Sequence, residues 1–209
     1  MRSPIHKEGF KFAGVFLALG VITSYLNKWI GRLFYVLTGF TLYFFRDPER
    51  KVPAGEGLIV SPADGRVIGI DSVDHAPFID GPAKRVTIFL SLFDVHINRS
   101  PIKGKISYRQ YAPGKFLAAF EPKASTDNEQ NSVGIESPDG YRILVKQIAC
   151  LVARRIVCWK NPGDETDIGE RFGLIRFGSR TEIFMPLDAK IDVKIGQRVT
   201  GASTVIARR

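Results

Sequence analysis

From Pro53 to the C-terminus, short apolar runs alternate with Gly, Pro, Asp and Asn. That punctuation leaves little room for helices and predicts strands joined by tight turns. The clearest runs are Leu58–Val60, Arg66–Ile70, Arg85–Leu90 and Tyr141–Val145. Further strands are expected at 148–157, 172–177, 181–185, 190–193 and 205–207. The polar stretch Pro122–Ser132 reads as a surface loop, as does Asp71–Pro82. The expected fold is therefore mainly β. The cadence of Ala189–Val199, loosely echoed by Ser61–Ile70, is that of a lipoyl-like, barrel-sandwich domain.

The first residues are of a different kind. Phe12–Leu26 is apolar and uncharged, Asn27-Lys28-Trp29 interrupts it, and Ile30–Phe45 is apolar again except for Arg32. Fifteen helical residues reach about 22 Å, short of a bilayer core of about 30 Å. The expectation is a helical hairpin dipping into one leaflet, with Tyr25 and Trp29 near its break. Arg2, Lys7 and Lys11 precede the pair, and Arg46, Arg50 and Lys51 follow it. The positive-inside bias puts both flanks on the cytoplasmic face of the cell membrane. A cleaved signal peptide fits less well, since no small-x-small cleavage site appears and a second apolar segment follows at once. The division is thus a membrane-associating region, 1–52, and a β-rich domain, 53–209.

Thirty Lys and Arg face 21 Asp and Glu, a formal charge of +9, which favours an anionic partner. Nucleic acid is disfavoured, because no basic run with interleaved aromatics is present; an anionic membrane surface fits the N-terminal segment. Two cysteines, Cys150 and Cys158, and three histidines supply no zinc spacing, so no metal is expected. Both cysteines lie in an apolar stretch and read as buried, reduced thiols.

Three segments carry reactive side chains. Gly178-Ser179 offers a hydroxyl next to a residue without a Cβ. A serine there can attack the preceding carbonyl, because glycine tolerates the distorted backbone the attack needs. A plain turn between two strands is the competing reading. His96 follows an apolar run and stands near Asp94, where a strand ends. An imidazole can take the serine proton near neutrality. His6 lies in the tail and His75 in the 71–82 loop, so both are poorer candidates. Asp64, in Pro62-Ala63-Asp64-Gly65, is either a turn former or the carboxylate that orients the imidazole. Spacing alone does not bring the three together.

Several segments in order carry a resemblance: Phe44-Phe45-Arg46-Asp47-Pro48, Ser61–Gly65, Phe93–Pro101, Asn128-Glu129-Gln130-Asn131 and Phe177-Gly178-Ser179-Arg180. Together they resemble the phosphatidylserine decarboxylase family, in its short, pyruvoyl-dependent form. The resemblance implies a proenzyme that cuts itself between Gly178 and Ser179. The products are a membrane-associated large chain, 1–178, and a small chain, 179–209, held as a heterodimer. Ser179 would become a covalent pyruvoyl group that forms a Schiff base with the serine headgroup of phosphatidylserine. Asp64 and His96 would serve the self-cleavage, and His96 is also a candidate proton donor in turnover. The product would be phosphatidylethanolamine, a step of phospholipid biosynthesis.

Arg99, Lys103, Arg154 and Arg155 are candidates for the lipid phosphate. The longer bacterial enzymes have Leu-Gly-Ser-Thr at the cut and a second histidine after the first. Here Phe177 and Arg180 flank the pair and Arg99 replaces that histidine. Two other classes compete: a membrane-bound serine hydrolase using the same three side chains, and a non-enzymatic lipoyl-like membrane module. The first lacks a G-x-S-x-G elbow, and the second lacks a carrier lysine at an exposed hairpin tip.

Overall fold

The computed structural model describes residues 3–115, 117–118, 121, 123–150, 155–176 and 179–209. The chain forms two compact units, Met1–Glu49 and Arg50–Arg209.

The first unit is a pair of helices, α1 (Lys7–Leu26) and α2 (Lys28–Phe44). Asn27 makes the break: its side chain accepts from the Trp29 amide at 2.9 Å, capping α2, and its own N–H bonds the Thr23 carbonyl. The helices pack antiparallel, with Ser24 beside Gly31, where a Cβ would lie 2.0 Å from the Ser24 hydroxyl. Farther along, Phe16 stacks on Phe34 and Phe12 on Phe45. α1 begins five residues before its apolar run, because His6 caps it by accepting from Glu8 N. It is thereby long and apolar enough to cross a membrane. Val15, Leu17, Ile22, Leu33 and Val36 are exposed on the pair.

The second unit is mainly β, as expected. In chain order its elements are β1 (Leu58–Val60), β2 (Gly65–Ala76), β3 (Gly81–Leu90), β4 (Ile97–Arg99), β5 (Gly104–Ala112), α3 (Ala124–Asp127), β6 (Gln130–Glu136) and β7 (Arg142–Ala149). They continue with β8 (Arg155–Cys158), β9 (Glu165–Thr166), β10 (Arg171–Arg176), β11 (Ser179–Pro186), β12 (Lys190–Ile191), β13 (Arg198–Val199) and β14 (Val205–Arg208). An eight-stranded sheet runs β13-β2-β3-β11-β7-β6-β5-β9, and two three-stranded sheets run β1-β14-β12 and β4-β10-β8. The main core gathers Val86, Ile88, Val133, Val145, Phe172, Ile183 and Met185 between them.

Three expectations are corrected. Residues 71–82 are not a loop, since β2 runs to Ala76 and β3 starts at Gly81, which places His75 in a strand. The described part of the 122–132 stretch, residues 123–132, is not a loop either. It contains α3 and the start of β6, whose Asn131 and Ser132 are polar yet buried. The run 148–157 is not one strand: Ile148 and Ala149 end β7, and β8 begins at Arg155.

Candidate active site

Ser179 is the first residue of β11, between Leu90 of β3 and Ala149 of β7. Alternate residues of a strand share a face, so Ser179 and Thr181 continue the face that Ile183 and Met185 give to the core. At this end of the sheet the core turns polar. Asn98 donates to Thr181 Oγ1 at 3.2 Å, Gln147 Nε2 to Asn98 Oδ1 at 2.8 Å, and Asn131 Nδ2 to Gln147 Oε1 at 2.8 Å. All four side chains are buried. Ser179 is fully buried too, and its Oγ has no hydrogen-bond partner among the described residues.

His96 lies next to this network and is fully buried. Its carbonyl accepts from Ile175 N at 3.2 Å, four residues before Ser179, while Asn98, two residues beyond His96, meets Thr181. The ring Nδ1 is 2.9 Å from the Asp94 carbonyl. A carbonyl only accepts, so Nδ1 carries a proton, and in the neutral ring Nε2 is the basic nitrogen. The loop that carries the ring is fixed by Asp94, whose carboxylate accepts from Ser91 N and Oγ at 2.9 and 2.7 Å and pairs with Arg198.

Asp64 is held differently from the expected triad. Its carboxylate accepts from Arg50 Nη2 at 2.6 Å and from Gly201 N at 2.8 Å, and neither bond involves the imidazole. Burial pushes its pKa above the ordinary value, with Arg50 and the Gly201 N–H pulling the other way and Asp94 adding to the rise. The turn reaches the network through its backbone: the Pro62 carbonyl accepts from Arg99 N at 2.9 Å and from the Asn98 side chain at 3.3 Å. The 128–131 segment contributes on the other flank. Asn128 donates to the Ala149 carbonyl at 2.9 Å, and the Glu129 carbonyl accepts from Ala149 N at 2.9 Å. Both contacts steady the strand partner of Ser179.

The phosphate candidates are scattered. Arg99 is buried and donates to the Gly169 carbonyl at 3.1 Å. Lys103 pairs with Asp167 at 3.2 Å in a cleft of about 550 Å³, at the Glu136 end of β6 and away from Ser179. Arg155 is exposed on β8, opposite Arg176 of β10. Arg154 and Gly178 lie outside the described residues. Cys150 and Cys158 are free, and burial pushes the Cys150 thiol up to about 11. Among the described residues no cluster of His, Cys, Asp or Glu can hold a metal ion. Asn98, Gln147, Asn131 and Arg198 were not singled out in the sequence, and Arg50 was read only as part of a basic flank. Asn98 and Asn131 stand inside the resembling segments, the only signal that marked them.

The family model for phosphatidylserine decarboxylase matches residues 37–207. A phosphatidylserine decarboxylase proenzyme of Symbiobacterium thermophilum is 48% identical over 209 residues, covering 100% of this chain and 97% of its own. Another of the same description, from Magnetococcus marinus, is 44% identical over 207 residues, covering 98% of this chain and 94% of its own.

Proposed function

The chain belongs to the phosphatidylserine decarboxylase family, and from that premise we propose that it is a self-cleaving carboxy-lyase centred on Ser179. The observation that carries this reading is the buried Ser179 hydroxyl at the start of β11, which has no partner among the described residues. Such a group costs about 1–3 kcal/mol, which a serine present only to make a turn has no reason to bear.

In the proposed cleavage Ser179 Oγ attacks the Gly178 carbonyl as His96 Nε2 takes its proton, and the amide becomes an ester. Loss of the Ser179 α-proton then expels the 1–178 carboxylate and leaves dehydroalanine at 179. Its enamine tautomerises, and water replaces the nitrogen as ammonia, leaving a pyruvoyl group. That ketone supplies an electron sink for the Cα–carboxylate bond of a bound serine headgroup. His96 is also the candidate proton donor in turnover, in keeping with its burial beside the segment that reaches Thr181. Asp64 is a positioning residue: held by Arg50 and Gly201, it fixes the turn whose Pro62 carbonyl binds Asn98.

The two products would stay together. In the small chain, β11 lies between β3 and β7, β13 pairs with β2, and β14 pairs with β1. The exposed apolar surface of α1 and α2 is suited to membrane association, and the basic flanks to the cytoplasmic face. A lipid substrate would then offer its headgroup at the interface while its acyl chains stay in the bilayer.

Intact mass under denaturing conditions tests the proposal. Two masses are expected, with 179–209 blocked at its N-terminus and lighter by one ammonia than the serine form. A single full-length mass in freshly purified protein would overturn it, and a serine hydrolase would give that result.

A further inference from the structure

Arg180 and Glu182 alternate with Ser179 and Thr181, and so face away from the polar network onto the other side of β11. Glu182 is fully buried there. Its Oε1 accepts from Arg180 Nη2 at 2.6 Å and from Ser125 Oγ at 2.7 Å, with Arg85 at 3.9 Å. Arg180 Nη2 also reaches Ser125 Oγ at 2.6 Å, and Nη1 the Glu121 carbonyl at 3.3 Å. Lys146, opposite Glu182 in the register, donates to the Ser125 carbonyl at 3.4 Å.

A buried ion pair of this kind adds little to stability compared with an apolar pair of the same size. Its worth here is where it sits. A cut before residue 179 turns the start of β11 into a chain end, and chain ends fray. Arg180 is one peptide bond from the group that must be held still. Its guanidinium is tied to Glu182 on its own strand, and to Ser125 and Glu121 on the other side of the cut.

We propose that Arg180, Glu182 and Ser125 form a clamp that positions the new chain end after cleavage, making Glu182 and Ser125 positioning residues for turnover. The inference rests on the proposed self-cleavage. It also gives a physical role to the arginine that stands where the longer enzymes have threonine.

The test uses the full chain in detergent, as Glu182→Gln and Ser125→Ala, each also placed in a Ser179→Ala background that cannot split. Cleavage is followed by mass, turnover by kcat and KM, and chain-end order by amide hydrogen exchange of the peptide starting at residue 179. In the cleaved variants kcat should fall by about tenfold or more, with KM changed less than about twofold and exchange at 180–182 faster. In the unsplit background exchange should stay as in Ser179→Ala alone. Unchanged kcat and exchange in both variants overturns the clamp, as does an equal rise in exchange with and without the cut. If Glu182→Gln fails to fold, Ser125→Ala decides alone, since it removes only a hydroxyl. A wild-type chain that never splits overturns the reading of Ser179 and the clamp with it, and shows before any variant is made.

Discussion

Asn98 and Thr181 are hydrogen-bonded at 3.2 Å between two fully buried side chains, one on β4 and the other two residues into β11. The contact joins the segment that carries His96 to the strand that begins at Ser179. Asn98 is also the partner of Gln147 and of the Pro62 carbonyl, so three separate segments meet on one amide.

Asn98→Ala should therefore cost more than a typical buried substitution. It strands the buried Gln147 donor and takes from the Pro62 carbonyl one of its two donors, leaving it Arg99 N. A loss of about 2–3 kcal/mol is expected, with slower self-cleavage. Urea denaturation in a Ser179→Ala background measures the first, and the rate at which the full-length band disappears measures the second. Wild-type values for both would show that the network is decorative.

A concentration test follows from the topology. Strands of 179–209 lie among strands of 1–178, so, with the proposed cut made, unfolding releases two molecules. By mass action its thermal midpoint should rise with protein concentration, whereas that of Ser179→Ala, one chain, should not. Calorimetry over a wide concentration range checks this. Parallel behaviour of the two proteins would argue that the cut does not separate them.

What the sequence made legible were the strands whose apolar residues alternate or cluster, such as 85–90 and 181–185. β5 was missed because Lys105, Ser107, Arg109 and Gln110 are polar, and their strand lies toward the edge of the sheet with every residue except Ile106 exposed or only partly buried. β6 was missed for the opposite reason: Asn131 and Ser132 are buried, and Asn131 spends its amide on Gln147. Of the site, Ser179 and His96 could be chosen on chemical type. The amide network could not, since Asn and Gln make no periodic pattern. The partner of Asp64 was also hidden, because Arg50 read as part of a basic flank to the anchor.

Gly65 is required by its surroundings. Its φ is +151°, and a Cβ would lie 2.2 Å from the Phe89 carbonyl oxygen. Phe89 cannot move aside easily, because β3 pairs with β2 on one side and β11 on the other, with Leu90 opposite Ser179. Gly65→Ala should destabilise by about 2–4 kcal/mol and slow cleavage by displacing Leu90. Denaturation midpoints and cleavage rates test it together, and an unperturbed midpoint would contradict the strain argument.

The last prediction concerns pH. Asp64 has its pKa raised by burial, and Arg50 opposes that rise. A carboxylate whose folded value lies above its unfolded value favours the folded state fully below the unfolded value near 3.8. That contribution is lost as pH rises through the folded value. Once ionised, the desolvated Asp64 is therefore a cost that Arg50 offsets. Arg50→Ala removes the offset and leaves the desolvation, so the Asp64 pKa should climb further. Two consequences follow in opposite pH ranges. Stability at neutral pH should fall by about 2–3 kcal/mol, because a largely buried charge loses its partner, while below pH 3.8 the variant and the parent should converge. If the proposed positioning role needs the carboxylate ionised, the acid limb of the self-cleavage rate should move to higher pH in the variant. Cleavage of freshly synthesised proenzyme across a pH series, beside denaturation of the Ser179→Ala pair, measures both. An acid limb in the same place, with a stability loss that does not depend on pH, would show that Arg50 supports the turn by packing and not by its charge on Asp64.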